Sequence, residues 1–188
     1  MEPITRKHLD NLHSDDANSR YESFMYIIKI TNRPVDWAYQ VWDDLLLQLK
    51  HKNNHQRAIA AQVLSNLTKS DKEKRMLKDF DKMIEVTKDE RFVTARHSLL
   101  SLWKIAAAGK EFQQVVVSYL EDRFKKCMAE KNGTLIRYDI IEVLRKLYTH
   151  VPDDVVKTKA LALIDMEEDM KYRKKYAGVW KDIVKVNK

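Results

Sequence analysis

Arginine returns at nearly even steps along this chain, at Arg20, Arg57, Arg96 and Arg137, which stand 37, 39 and 41 residues apart. Each opens the same pattern, with small or apolar side chains three, four, six, seven and ten residues on. Two of the segments are Arg57-Ala-Ile-Ala-Ala-Gln-Val-Leu-Ser-Asn-Leu67 and Arg137-Tyr-Asp-Ile-Ile-Glu-Val-Leu-Arg-Lys-Leu147. That spacing follows the helix period, so each segment carries one apolar stripe along one face. A unit of about 40 residues with such a stripe cannot bury it alone and must stack on its neighbours. The scarcity of helix breakers agrees: the 188 residues include 3 Gly and 3 Pro, where average usage gives about 13 and 9. The predicted fold is all-α, with helix pairs stacked into one superhelix.

Boundary signals divide a single domain, 1–188, into repeats around 4–31, 35–68, 71–108 and 111–149. Pro34 cannot continue a preceding helix, and Asp36 is a fair N-cap for the next one. Ser70-Asp-Lys-Glu73 has the form of a capping box. Gly109 and Pro152 mark two further joins, and Cys127 falls where an outer helix ends. From Asp153 the chain reads as helix almost to its end, with acidic Asp165 to Asp169 giving way to basic Lys171 to Lys175. This order suits the helix macrodipole, so 153–188 is expected to form a capping helix with a basic tail.

Several function classes are disfavoured. The single cysteine, Cys127, allows no intramolecular disulfide and no Cys-based zinc site, and it fits a reducing compartment. No apolar run approaches the roughly 20 residues of a bilayer span, and the N-terminal residues lack a signal-peptide core. A cytoplasmic protein with no membrane partner is expected. His51 and His55 share a helix-face spacing, but they flank a turn and have no third ligand nearby in sequence. No metal site, no cofactor and no catalytic residues are expected, since neither a phosphate loop nor a nucleophile motif occurs.

The net charge of +7 is unevenly placed. Residues 1–170 hold 28 basic against 27 acidic groups, whereas 171–188 hold seven basic groups against Asp182 alone. The basic segment Lys171, Arg173, Lys174, Lys175 and Lys181 is therefore the candidate polyanion-binding element.

The arginine-led pattern resembles the HEAT/armadillo-type repeat superfamily, with Asp16 before Arg20, Asn53 before Arg57, Asp89 before Arg96 and Asn132 before Arg137. The resemblance implies a right-handed α-α superhelix of about four helix pairs plus the capping helix. It also implies that these acidic, amide and arginine side chains link neighbouring repeats in a ladder at the turns. In such stacks the second helix of each pair lines the concave side. Positions two, five and nine past each arginine then predict a binding stripe of Glu22, Met25, Lys29, Gln62, Asn66, Ser98, Ser101, Asp139, Glu142 and Lys146. Mixed charge on that stripe favours a non-enzymatic scaffold for a protein or peptide partner, with nucleic acid bound through the basic tail as the alternative. Some members resemble alkylpurine DNA glycosylases, which use aromatic side chains and an acid in a basic cleft. That reading is set aside because Trp103, seven residues past Arg96, falls in register with Ile27, Leu64 and Leu144 and is expected in the core. Trp180 is expected in the tail.

Overall fold

The computed structural model describes residues 1–185. Eleven α-helices follow one another, and no strand occurs among the described residues. They are α1 (Pro3–Asn11), α2 (Ala17–Ile30), α3 (Ala38–Gln48), α4 (Asn54–Leu67), α5 (Arg75–Val86) and α6 (Phe92–Ala106). After them come α7 (Lys110–Lys126), α8 (Gly133–His150), α9 (Asp154–Asp165), α10 (Met170–Val179) and α11 (Lys181–Lys185). Odd-numbered helices α1 to α9 form the outer row, and α2, α4, α6, α8 and α10 form the inner row. Each inner helix packs on its own outer partner and on the inner helices beside it, which makes the fold an α-α superhelix of stacked pairs.

The apolar stripes meet as the repeat demands. Ile27, Leu64, Leu67, Leu102, Ile140, Ile141, Leu144 and Leu147 are all buried along the inner row. Small residues Ala58, Ala60, Ala61 and Ser65 on α4 are buried as well, and side chains of that size let backbones approach closely. Where α4 crosses α6, the hydroxyls of Ser65 and Ser101 stand 2.9 Å apart. The Ala61 carbonyl lies within reach of Ser65 and the Ser98 carbonyl within reach of Ser101, so one hydroxyl donates to its own helix while the other donates across to it.

The arginines form the expected inter-repeat ladder, with different acidic partners. Arg57 donates to the His51 carbonyl at its own turn and makes a two-pronged pair with Asp89 of the next repeat, at 2.5 and 2.9 Å. Arg96 pairs in the same way with Asp139, at 2.7 and 3.0 Å. Arg137 donates to the Phe124 carbonyl and to Glu167. Thus three of the four arginines reach an acid that follows them by 30 to 43 residues, while Arg20 donates to the Ser14 and Asp15 carbonyls at its own turn. Asp16 and Asn53 instead cap their own helices, accepting from the backbone N–H groups of Ser19 and His55. Asn132 takes a left-handed backbone with φ 68° and makes no side-chain cap bond, a conformation that asparagine tolerates better than most residues.

Two local expectations are corrected. The Ser70–Glu73 capping box does not form. Ser70 instead accepts from the backbone N–H of Val35, and α5 opens only at Arg75. The buried Asp71 caps α5, accepting from the backbone N–H groups of Arg75 and Met76 and from the Tyr39 hydroxyl. The second correction concerns the continuous C-terminal helix, which breaks after Asp165. Asp169 starts a new helix by accepting from the backbone N–H of Lys171, and Glu167 turns inward to Arg137. Helix α10 then packs on α8, burying Tyr176 and Trp180 completely. The Tyr176 hydroxyl donates to the Thr134 carbonyl, and the Trp180 indole N–H reaches the Ile141 carbonyl. What reads as a tail is the inner helix of a fifth pair.

Candidate functional site: a basic, aromatic groove on the concave face

The ten residues predicted to form the concave stripe divide into two groups. Glu22, Met25 and Lys29 are exposed on α2, and Gln62, Glu142 and Lys146 are half-buried on α4 and α8. Asn66, Ser98, Ser101 and Asp139 are buried, and their side chains bond within the fold except at Asn66 Oδ1. Asn66 donates to the Ile28 carbonyl and the Thr31 hydroxyl across to α2. Ser98 donates to the Thr94 carbonyl. Asp139 receives Arg96, and burial raises its carboxyl above the ordinary range despite that guanidinium.

The cause is geometric. An inner helix flanked on three sides exposes only a narrow arc, and small polar residues belong at its close crossings rather than on its open face. On α2, with no inner helix before it, the arc is wide and the prediction of exposure holds. On α6 the buried arc is rotated. Leu99, Leu102 and Ile105 point inward, three, six and nine residues past Arg96, while Leu100 and Trp103 open onto the concave side. Trp103 is therefore half-buried against the edge of the core, not inside it as its register with Leu64 and Leu144 predicts.

Trp103 sits at the junction of two open hollows of about 420 and 620 Å³. The first is bordered by Gln62, His97 and Leu100 on one side and by Lys146 and His150 on the other. The second runs toward Asn32, Pro34, Lys69 and the apolar wall of Ala107, Ala108 and Val151. The His150 ring stacks on the indole at 4.2 Å between centroids. The Lys104 ammonium stands 5.8 Å from the Trp103 ring centroid. Burial pushes the Lys104 amine down to about 8, and the positive charges of Lys69 and Lys146 add to that shift. Lys69 is lowered by burial too, and its ammonium donates to the Asn32 carbonyl. No carboxylate lines either hollow among the described residues. This part of the inner face is basic, although residues 1–170 as a whole are close to neutral. The signal available was the offset of Lys104 and Lys146, eight and nine residues past their arginines, beside an aromatic residue.

The predicted polyanion-binding residues lie on α10 and at the start of α11. Arg173 pairs with Asp165 at 2.8 Å, Lys171 lies over the Tyr172 ring, and Lys175 lies 4.7 Å from the Tyr138 ring centroid. Lys174 and Lys181 are exposed. Lys188, counted with the basic segment, lies outside the described residues.

The remaining candidates are structural. His51 accepts from the backbone N–H of Asn53, and among the described residues no group of three His, Cys, Asp or Glu side chains could hold a metal ion. Cys127 is fully buried and its thiol is pushed up by that burial, which disfavours the reactive thiolate. Its carbonyl also explains Gly133, where an added Cβ would stand 2.5 Å from the Cys127 oxygen. A third hollow, of about 240 Å³, lies against Asp89, Arg96, Arg123, Glu130 and Asp139. All of its charged pairs belong to the ladder or to the Arg123–Glu130 bridge. No described helix is long and apolar enough to cross a membrane.

No protein-family model and no curated protein sequence matches the chain. Solved structures do match in fold. One engineered protein superposes with a TM-score of 0.59 at 13% identity, covering 95% of this chain and 78% of its own. A second engineered protein gives 0.51 at 15% identity, covering 97% and 99%. A designed armadillo repeat protein in complex with the peptide (KR)4 gives 0.53 at 12% identity, covering 98% and 91%. At these identities the likeness establishes the helical-repeat fold and nothing about activity.

Proposed function

We propose that the protein is a non-enzymatic repeat scaffold that holds an extended segment of another protein along its concave face. The observation that carries this reading is the groove at Trp103. It is open, spans α4, α6 and α8, and joins an aromatic ring, an apolar wall and the Lys69, Lys104 and Lys146 amines, with no lining carboxylate among the described residues. A large, partly exposed aromatic beside cationic and aliphatic side chains is the composition of an interaction hot spot. The peptide complex of the structurally similar designed armadillo protein adds the precedent that such a superhelix can carry a peptide. The groove lacks the carboxylate that a glycosylase-like cleft would use as its acid.

Photo-cross-linking in the cells that make the protein tests this. A photoreactive residue in place of His97, on the concave side of α6, is expected to yield a discrete protein adduct. The same residue in place of Val115, exposed on outer helix α7, is expected to yield none. Adducts from Val115 alone would place the partner on the convex side and refute the proposal.

A further inference from the structure

We infer that the segment bound in the concave groove is acidic, with Asp or Glu side chains seated among Lys69, Lys104 and Lys146 and an aliphatic side chain set against Trp103. This rests on the scaffold reading above and names the chemistry of its partner.

Three ammonium groups on three successive elements, the turn after α4, α6 and α8, border the same pair of hollows. Like charges brought together in a partly buried groove raise the energy of the free protein, and no lining carboxylate among the described residues relieves it. Elsewhere the fold routinely supplies such relief. Lys110 pairs with Asp153, Lys74 with Glu111, and Lys159 with Glu121. The Lys104 amine is pushed down chiefly by burial, with Lys69 and Lys146 adding to the shift, and an incoming carboxylate would favour its charged form. Clusters of this kind, placed in a cleft and serving no internal pair, are candidate binding sites.

The groove fits a polypeptide better than a nucleic acid. Lys69, Lys104 and Lys146 supply cations on three repeats only, short of the track that a phosphate backbone follows. The inner face also carries Glu22 and Glu142, which would oppose a continuous phosphate track. A base needs a free aromatic face for stacking, and His150 already covers one side of Trp103. Pro34, Ala107, Ala108 and Val151 instead form an aliphatic wall of the kind a Leu or Val side chain fills. A carboxylate-rich segment with an apolar anchor satisfies both halves of the site.

A display library of random peptides panned on the full chain tests this, with a short oligothymidine as the nucleic-acid probe. Expected winners are enriched in Asp and Glu next to aliphatic residues. A synthesised winner is expected to bind Lys104→Gln about tenfold more weakly, with steep loss on adding salt. Lys78→Gln, on outer helix α5, should leave binding unchanged. Winners that are basic or uncharged and indifferent to Lys104→Gln would overturn the acidic assignment while leaving the scaffold reading in place. No enrichment of any peptide would remove the scaffold reading as well. Oligothymidine binding tighter than every winner, and lost in Lys104→Gln, would show that the groove serves nucleic acid and overturn the proposal.

Discussion

Replacing Trp180 by Ala is expected to cost about 3–5 kcal/mol of folding stability, the range for truncating a buried aromatic side chain. The indole is fully buried, packs 5.5 Å from the Tyr148 ring centroid and donates to the Ile141 carbonyl. Its loss would open a cavity between α8 and the last helices. Trp103→Ala removes a ring that faces the groove and is expected to cost about 1 kcal/mol, as is usual for a substitution away from a packed core. Urea melts of the two variants, with slopes compared, decide the order. Equal losses, or a larger one at Trp103, would mean that α6 is not rotated and that the chain after Asp165 is indeed an appended tail.

A second large effect is expected at Arg137, which is the most enclosed member of the arginine ladder. Its side chain is 11% exposed, and that of its partner Glu167 is 3% exposed. Arg137→Ala leaves that carboxylate buried without its guanidinium and frees the Phe124 carbonyl. Breaking a buried pair from one side costs about 3–5 kcal/mol. The double replacement Arg137→Met with Glu167→Leu is expected to recover most of that loss, because no charge is then left buried. The cycle of single and double variants in denaturant measures it. A loss at Arg137→Ala of only about 0.5 kcal/mol, the scale of a surface pair, would show that the ladder is solvated rather than structural.

The repeat was legible because it is written twice, in the arginine spacing and in the helix-period stripe. Both survive even though the third repeat drifts in length. Which face of each helix opens to solvent was legible only at α2, the edge of the stack. Inside the array, polarity misleads: Ser98, Ser101 and Asp139 read as surface residues and are buried, satisfied by Thr94, Ser65 and Arg96. Size misleads as well. Trp103 looks like core from its register, yet the smaller Leu102 beside it takes the buried place. The rotation of α6 depends on contacts with α4 and α8 from repeats about 40 residues away, which no local pattern encodes. Lys69 lies in the turn after α4, off the helix period altogether, so its meeting with Lys104 and Lys146 arises only on stacking. The fifth helix pair was hidden by its charge. Lysines on α10 read as a solvated tail while Tyr176 and Trp180, four residues apart, point into the core.

Recovery of the cross-linked partner by Trp103→Ala is the measurement that bears most directly on the concave face as the working surface. The variant is expected to keep the helical circular-dichroism spectrum and nearly all of the stability of the parent chain, yet to recover little or none of the partner in affinity capture. A Trp103→Ala protein that is folded and retrieves its partner as well as the parent would contradict the account, because the groove around Trp103 would then be open surface with no part in binding.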